Sequence, residues 1–136
     1  MHAVALRLTP QQDLKTELDQ FVRMQALDAA CILTCVGSLT QVTLRFANQS
    51  NATVYQGHFE IVSLVGVMSC YGSHYHMAIA DDSGNLRGGH LLEGCLVYTT
   101  AEIVIGVLPH LRFQRESDQM TGYNELTIYP ISERFV

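Results

Sequence analysis

Apolar residues along this chain gather into strand-like segments, some alternating with polar residues and some nearly continuous, and one stretch near the N-terminus shifts to the longer period of a helix. Ala3 to Leu8 reads as a first strand. Thr9-Pro10-Gln11-Gln12 then carries a helix start, with Thr9 as cap, Pro10 at the first helical position and Gln12 closing a capping box. Leu14, Leu18, Phe21 and Val22 follow at helical spacing, with Asp13, Lys15, Glu17, Asp19 and Arg23 on the other side. This predicts a helix that packs one face on a sheet and ends near Leu27 or Asp28. Ala29 to Val36 and Leu39 to Phe46 read as two strands joined by a short hairpin at Gly37-Ser38. In the second of them, Leu39, Thr43 and Arg45 are expected on one face and Val42, Leu44 and Phe46 on the other.

Phe59 to Val67 is almost continuously apolar, the composition of a strand covered on both faces, so its one carboxylate, Glu60, is expected to need a partner. Cys95 to Leu108 reads as another core strand, Leu111 to Arg115 as a further one, and Leu126 to Ile131 as an edge strand or an arm laid on a neighbour. No repeat, low-complexity tract or linker interrupts the pattern. The expectation is a single domain over residues 1–136, with its core at about 3–115 and a C-terminal strand or arm at 116–136. Its class is α+β: a mostly antiparallel sheet packed by one main helix.

Composition changes this picture in two ways. Hydrophobic residues make up 48% of the chain, enough for a full core, and charged residues only 15%; charge this low, with many β-branched residues and no Trp, points to surface covered by other subunits and so to an oligomer. Thirteen acidic residues outnumber eight basic ones, and the net charge of -5 removes the counterion-release drive of nucleic-acid binding. The four cysteines, Cys31, Cys35, Cys70 and Cys95, sit in apolar surroundings with no Cys-x-x-Cys pair, as expected of buried, reduced thiols. With no signal-peptide pattern at the start and no apolar run near the roughly 20 residues of a membrane span, the expected location is the cytoplasm.

The chemistry concentrates between Gly57 and Gly94. His74 and His76 are two apart, so on a strand they project from one face. Asp81-Asp82-Ser83-Gly84 has the residues of a hairpin turn, and a hairpin there returns His90 beside the pair. Three neutral imidazoles suit Zn²⁺ or another late first-row divalent ion and leave a position for water or a small-molecule ligand. Gly88-Gly89 precedes no helix start, so close backbone packing accounts for it better than an anion-cradling loop.

GHFEIVSLVG, then the His-x-His strand, the turn, and LRGGHLLEG resemble the plant-and-prokaryote-conserved (PPC) domain over roughly Leu6 to Leu111. The resemblance implies an α+β fold with a largely antiparallel sheet and one main helix, assembled as a homotrimer. It also implies that His74, His76 and His90, which match the prokaryotic single-domain pattern position by position, form a metal site. Plant members join the domain to AT-hook segments that enter DNA. This chain has no Arg-Gly-Arg-Pro run, and it carries His58 where plant members commonly have Arg.

Two functions are therefore weighed: a metal-binding domain or metal-dependent enzyme, and a DNA-associated regulatory module acting through protein contacts. For catalysis the nearby candidates are Glu60, Glu93 and Tyr98, none at a signature spacing, so no activity is assigned; Glu93 is instead expected to accept a hydrogen bond from a ligand histidine. Direct nucleic-acid binding is disfavoured by charge.

Overall fold

Every strand pairing in the structure, a computed structural model that describes residues 1–131, is antiparallel. The elements are β1 (His2–Leu8), α1 (Leu14–Met24), β2 (Ala30–Arg45), β3 (Thr53–Ser69), β4 (Gly72–Ala80), β5 (Leu86–Leu91), β6 (Leu96–Val107), β7 (Leu111–Ser117) and β8 (Asn124–Pro130). Six strands form one sheet in the order β1-β6-β2-β3-β4-β5, and β7 and β8 form a separate two-stranded ribbon. The far end of β2 also pairs with β5, at Leu44↔Leu91 and Arg45↔His90, so β2, β3, β4 and β5 close into a ring. The α+β class with a β-dominated, antiparallel sheet is as expected.

The interior of that ring is the core. Leu39, Val42, Leu44, Phe59, Ile61, Leu64, Tyr75, Met77, Ile79 and Leu91 are buried there, and Ile103 and Ile105 extend the core onto β6. The helix lays Leu14, Leu18 and Val22 on it, one residue per turn, with Phe21 at the margin. No described helix is long and apolar enough to cross a membrane.

Four local expectations are corrected. The helix begins at Leu14, not at Pro10. Gln12 does accept from the Thr9 backbone N–H at 2.8 Å and from its hydroxyl at 3.1 Å, but Gln11 at φ 70° turns the chain away. Asp13 takes over the cap, accepting from Thr16 N at 2.9 Å, and its other carboxylate oxygen accepts from Cys95 N at 3.1 Å. At the other end the helix stops at Met24, short of Leu27, with Ala26 at φ 49°. Second, no hairpin forms at Gly37-Ser38: β2 runs straight through. Gly37 is required because a Cβ there would stand 2.7 Å from Ala101 Cα on β6. A register shift between Leu39 and Gln41 turns Leu39 inward with Val42 and Leu44.

Third, β3 is covered on one face only. Phe59, Ile61, Leu64 and Met68 point in, while Val62, Val65 and Glu60 face outward, so Glu60 is solvated and needs no partner. Fourth, only Cys95 of the four thiols is fully buried; all four are free. The β7–β8 ribbon is held to the body by Ser69 Oγ donating to Phe113 O at 2.8 Å and by Phe113 N donating to Asp28 O at 2.9 Å, with the Phe113 ring buried. β8 pairs within its own chain, and residues 132–136 of the expected C-terminal arm lie outside the described residues.

Candidate metal centre

The β4–β5 hairpin builds the site. Strict alternation along β4 sends Tyr75, Met77 and Ile79 into the core and leaves His74 and His76 on the outer face. The turn sets what comes back opposite them. Asp81 Oδ1 accepts from Ser83 N at 3.0 Å and Asn85 N at 2.9 Å, and Gly84 takes φ 77°. Hydrogen bonds from Asn85 and Ser83 backbone amides and from Arg87 hold the Asp81 carboxyl below its ordinary range, with the Asn85 amide contributing most. Arg87 reaches Asp81 Oδ2 at 3.2 Å and lies over the Tyr55 ring at 4.9 Å, tying the turn to β3. The register that follows is Ala80↔Leu86 through His76↔His90. A slip of one residue would turn His90 to the other face.

The two glycines before His90 serve backbone approach. A Cβ on Gly88 would meet Met77 O at 3.1 Å, and one on Gly89 would meet Arg45 O at 2.6 Å. Their absence of side chain lets β5 lie against β4 and β2 at once, which closes the ring at the level of His90.

The three predicted ligands come together. His74 Nε2 stands 3.1 Å from His76 Nε2 and 3.2 Å from His90 Nδ1, and the candidate ligand atoms all lie within 4.8 Å of one another. The His76 ring is perpendicular to both others, with centroids 4.8 Å from His74 and 4.6 Å from His90. A ring nitrogen has one in-plane position, either a proton or a lone pair, so His74 Nε2 cannot form straight hydrogen bonds to both neighbours. Converging lone pairs describe the arrangement better. Tetrahedral ligands at Zn–N distances of about 2.0–2.1 Å stand about 3.3 Å apart, close to the separations here. The donor set fits a late first-row ion.

The surroundings favour neutral rings. Partial burial first, then the neighbouring His76 and the Arg115 and Arg45 guanidinium groups, lower the His74 pKa, while Glu125 pulls the other way. Burial first and then Arg45 lower that of His90. Arg45 lies opposite His90 in the β2–β5 register, and the Arg115 side chain passes over Gly72, where a Cβ would touch its Cγ at 3.0 Å. Sequence reasoning missed both arginines, because neither is near the histidines in the chain and only ring closure and the ribbon's placement bring them in.

The other candidates stay apart. Glu60 is exposed on β3, opposite Ala80 rather than the histidines. Tyr98 is on β6, where its ring lies 4.5 Å from that of His58. Glu93 is exposed after β5 and, among the described residues, accepts no hydrogen bond from a histidine, contrary to expectation. A surface cavity of about 250 Å³ lies at the α1–β3–β4 corner beside Asp19, Arg23 and Tyr71, away from the histidines, of which His74 and His76 are exposed and His90 half-buried.

Residues 1–109 match the Plants and Prokaryotes Conserved (PCC) domain. The chain is 48% identical over 127 residues to the bifunctional protein GlmU of a Synechococcus strain, covering 93% of this chain but only 20% of that protein. It is 33% identical over 119 residues to the Arabidopsis thaliana AT-hook motif nuclear-localized protein 13, covering 78% of this chain and 27% of that one. Among solved structures, a hypothetical protein of Salmonella enterica superimposes with a TM-score of 0.93 at 45% identity, covering 95% of this chain and 94% of its own. A metal-containing protein of Archaeoglobus fulgidus superimposes with a TM-score of 0.78 at 24% identity, covering 93% and 94%.

Proposed function

The chain belongs to the Plants and Prokaryotes Conserved domain family, and from that premise we propose that it is a trimeric domain holding a divalent ion, Zn²⁺ or another late first-row metal, on His74, His76 and His90. The observation that carries this is the convergence of three imidazole nitrogens at 3.1 and 3.2 Å around one point. The description of the Archaeoglobus relative as metal-containing supports it. His74 and His76 are fixed by β4 and His90 by β5. Once bound, the ion supplies Lewis-acid character and a free coordination position. Around it this chain's own residues contribute two guanidinium groups, and no reaction is assigned.

The trimer rests on the outer face of the sheet. Leu33, Val36, Val62, Val65 and Tyr98 are each about half exposed there, and a second copy would cover them. The histidines face the same side, so a neighbouring subunit would supply the wall that a single chain lacks. The AT-hook relative raises DNA association as the other reading, but the net charge of -5 works against direct binding by this domain. Elemental analysis of protein purified without a metal-affinity tag tests the centre: about one ion per chain is expected, and none bound or taken up at neutral pH refutes it. Light scattering at micromolar concentration tests the assembly, with three times the 15.1 kDa chain mass expected.

A further inference from the structure

Two arginines approach the three imidazoles from opposite sides of the hairpin. Arg45 comes from the end of β2, in register with His90. Arg115 comes from β7, outside the residues that match the family, and crosses Gly72 at the start of β4, two positions before His74. Gly72, His74 and His76 alternate along β4 and so share one face, while Arg45, directly opposite His90, shares the face of that histidine. Among the described residues neither is in an ion pair, whereas Lys15, Arg87 and Arg112 each have a carboxylate within 4 Å. Arg45 gives one N–H to Gln49 O at 3.3 Å, leaving most of its donors free. Two unpaired cations beside an ion already carrying positive charge are costly without an anion to share.

We propose that Arg45 and Arg115 bind an oxyanion, the carboxylate or phosphate group of a small molecule, at the coordination position the three histidines leave free. This rests on the metal centre proposed above. Neutral histidines leave the charge of a divalent ion uncompensated, and a guanidinium presents paired N–H donors that match two oxygens of either group. The ion, the β2 end and the ribbon would each contribute one side of the anion's surroundings.

The test loads tag-free protein with Co²⁺, measures ions per chain, and follows the visible cobalt absorption while inorganic phosphate or acetate is added. A saturable shift is expected, and the tighter of the two anions identifies the group preferred. Arg45→Gln and Arg115→Gln should each weaken that binding about tenfold or more while Co²⁺ stoichiometry stays at the wild-type value. Unchanged Co²⁺ uptake shows that each variant is folded at the site, and Arg115 lies on the ribbon, outside the ring. If Co²⁺ binds normally but neither anion shifts the spectrum at millimolar concentration, or both arginine variants bind like wild type, the anion site is refuted and the metal centre stands. If Co²⁺ does not bind at all, both are refuted.

Discussion

The two hairpins of this molecule, β4–β5 and β7–β8, use similar local grammar and end in different states. In the first, β4 buries Tyr75, Met77 and Ile79, β5 buries Leu91, and both edges are taken, by β3 on one side and β2 on the other. In the second, Phe113 is the one buried side chain, and Met120, Tyr123, Ile128 and Tyr129 are exposed. An isolated two-stranded ribbon is marginal in water. The precision of the histidine cluster therefore comes from the ring around it and not from the hairpin alone. The ribbon, which carries Arg115, holds none of the three histidines.

The largest effect should come from breaking the ring. Gly89→Val places a Cβ against the Arg45 carbonyl, where 2.6 Å is available, and backbone cannot swing aside as a side chain would. The expected cost is about 2–3 kcal/mol in denaturant unfolding, together with loss of metal binding as His90 leaves its register. A Gly89→Val protein that binds metal like wild type would show that closure does not position the site.

Next is the centre itself. His76→Ala removes an exposed side chain, so stability without metal should change by less than about 0.5 kcal/mol. Metal affinity should fall by more than the ~10–100-fold typical of losing a ligand's hydrogen-bond partner. At a free Zn²⁺ concentration 100 times the Kd, wild type gains about 2.7 kcal/mol by mass action and His76→Ala gains almost none. His58→Ala and His110→Ala, outside the cluster, should respond to Zn²⁺ as wild type does. Equal thermal shifts in all four proteins would remove the cluster from the account.

Acid sharpens the same point. The His74 and His90 pKa values are lowered from the ordinary 6.5, so the folded state holds both rings neutral to a lower pH than the unfolded chain does. The resulting stability is fully present above pH 6.5 and is lost as pH falls through the folded values. Bound metal should be retained at pH 7 and released below 6.5, because protons compete for the same nitrogens. Metal content that is flat from pH 7 to 5 would contradict histidine ligation. Two thiols provide a control on accessibility: burial pushes the half-buried Cys35 up to about 11 and the fully buried Cys95 to about 12, so neither should react readily with iodoacetamide at pH 8 in the folded protein.

What could be read from the chain follows from the range of the interactions that decide each part. The His-x-His spacing, the Asp81 to Gly84 turn and the return of His90 are all local, and residues within the hairpin determine them. The helix stripe Leu14, Leu18, Val22 was legible for the same reason. The helix start was not: Thr9 and Gln12 make the predicted contacts, but Asp13 is held by Cys95 N, eighty-two residues away, and that tether selects the first turn. Gly37 looked like a hairpin because a glycine's need for close approach to β6 is indistinguishable, in one sequence, from a need for a turn. Arg45 and Arg115 were invisible as site residues because two long-range events, ring closure and ribbon docking, place them.

The smallest effect tests the ribbon's independence. Ser69 Oγ donates to Phe113 O at 2.8 Å and accepts from Tyr71 N at 3.1 Å, so one hydroxyl joins the end of β3 to β7. Ser69→Ala removes both bonds but leaves Phe113 N on Asp28 O and the Phe113 ring in place. Phe113 O is buried with its partner gone, and the expected cost is about 1–2 kcal/mol. Hydrogen exchange should quicken along β7 and β8, while β4 and β5 amides, bonded on both edges, keep wild-type rates. Zn²⁺ affinity should be unchanged, because His74, His76 and His90 all lie on the ring. Oxyanion affinity should drop, since Arg115 travels with the ribbon and loses its fixed approach over Gly72. Loss of both affinities together would mean that the ribbon supports the histidines too, and that the two hairpins act as one unit.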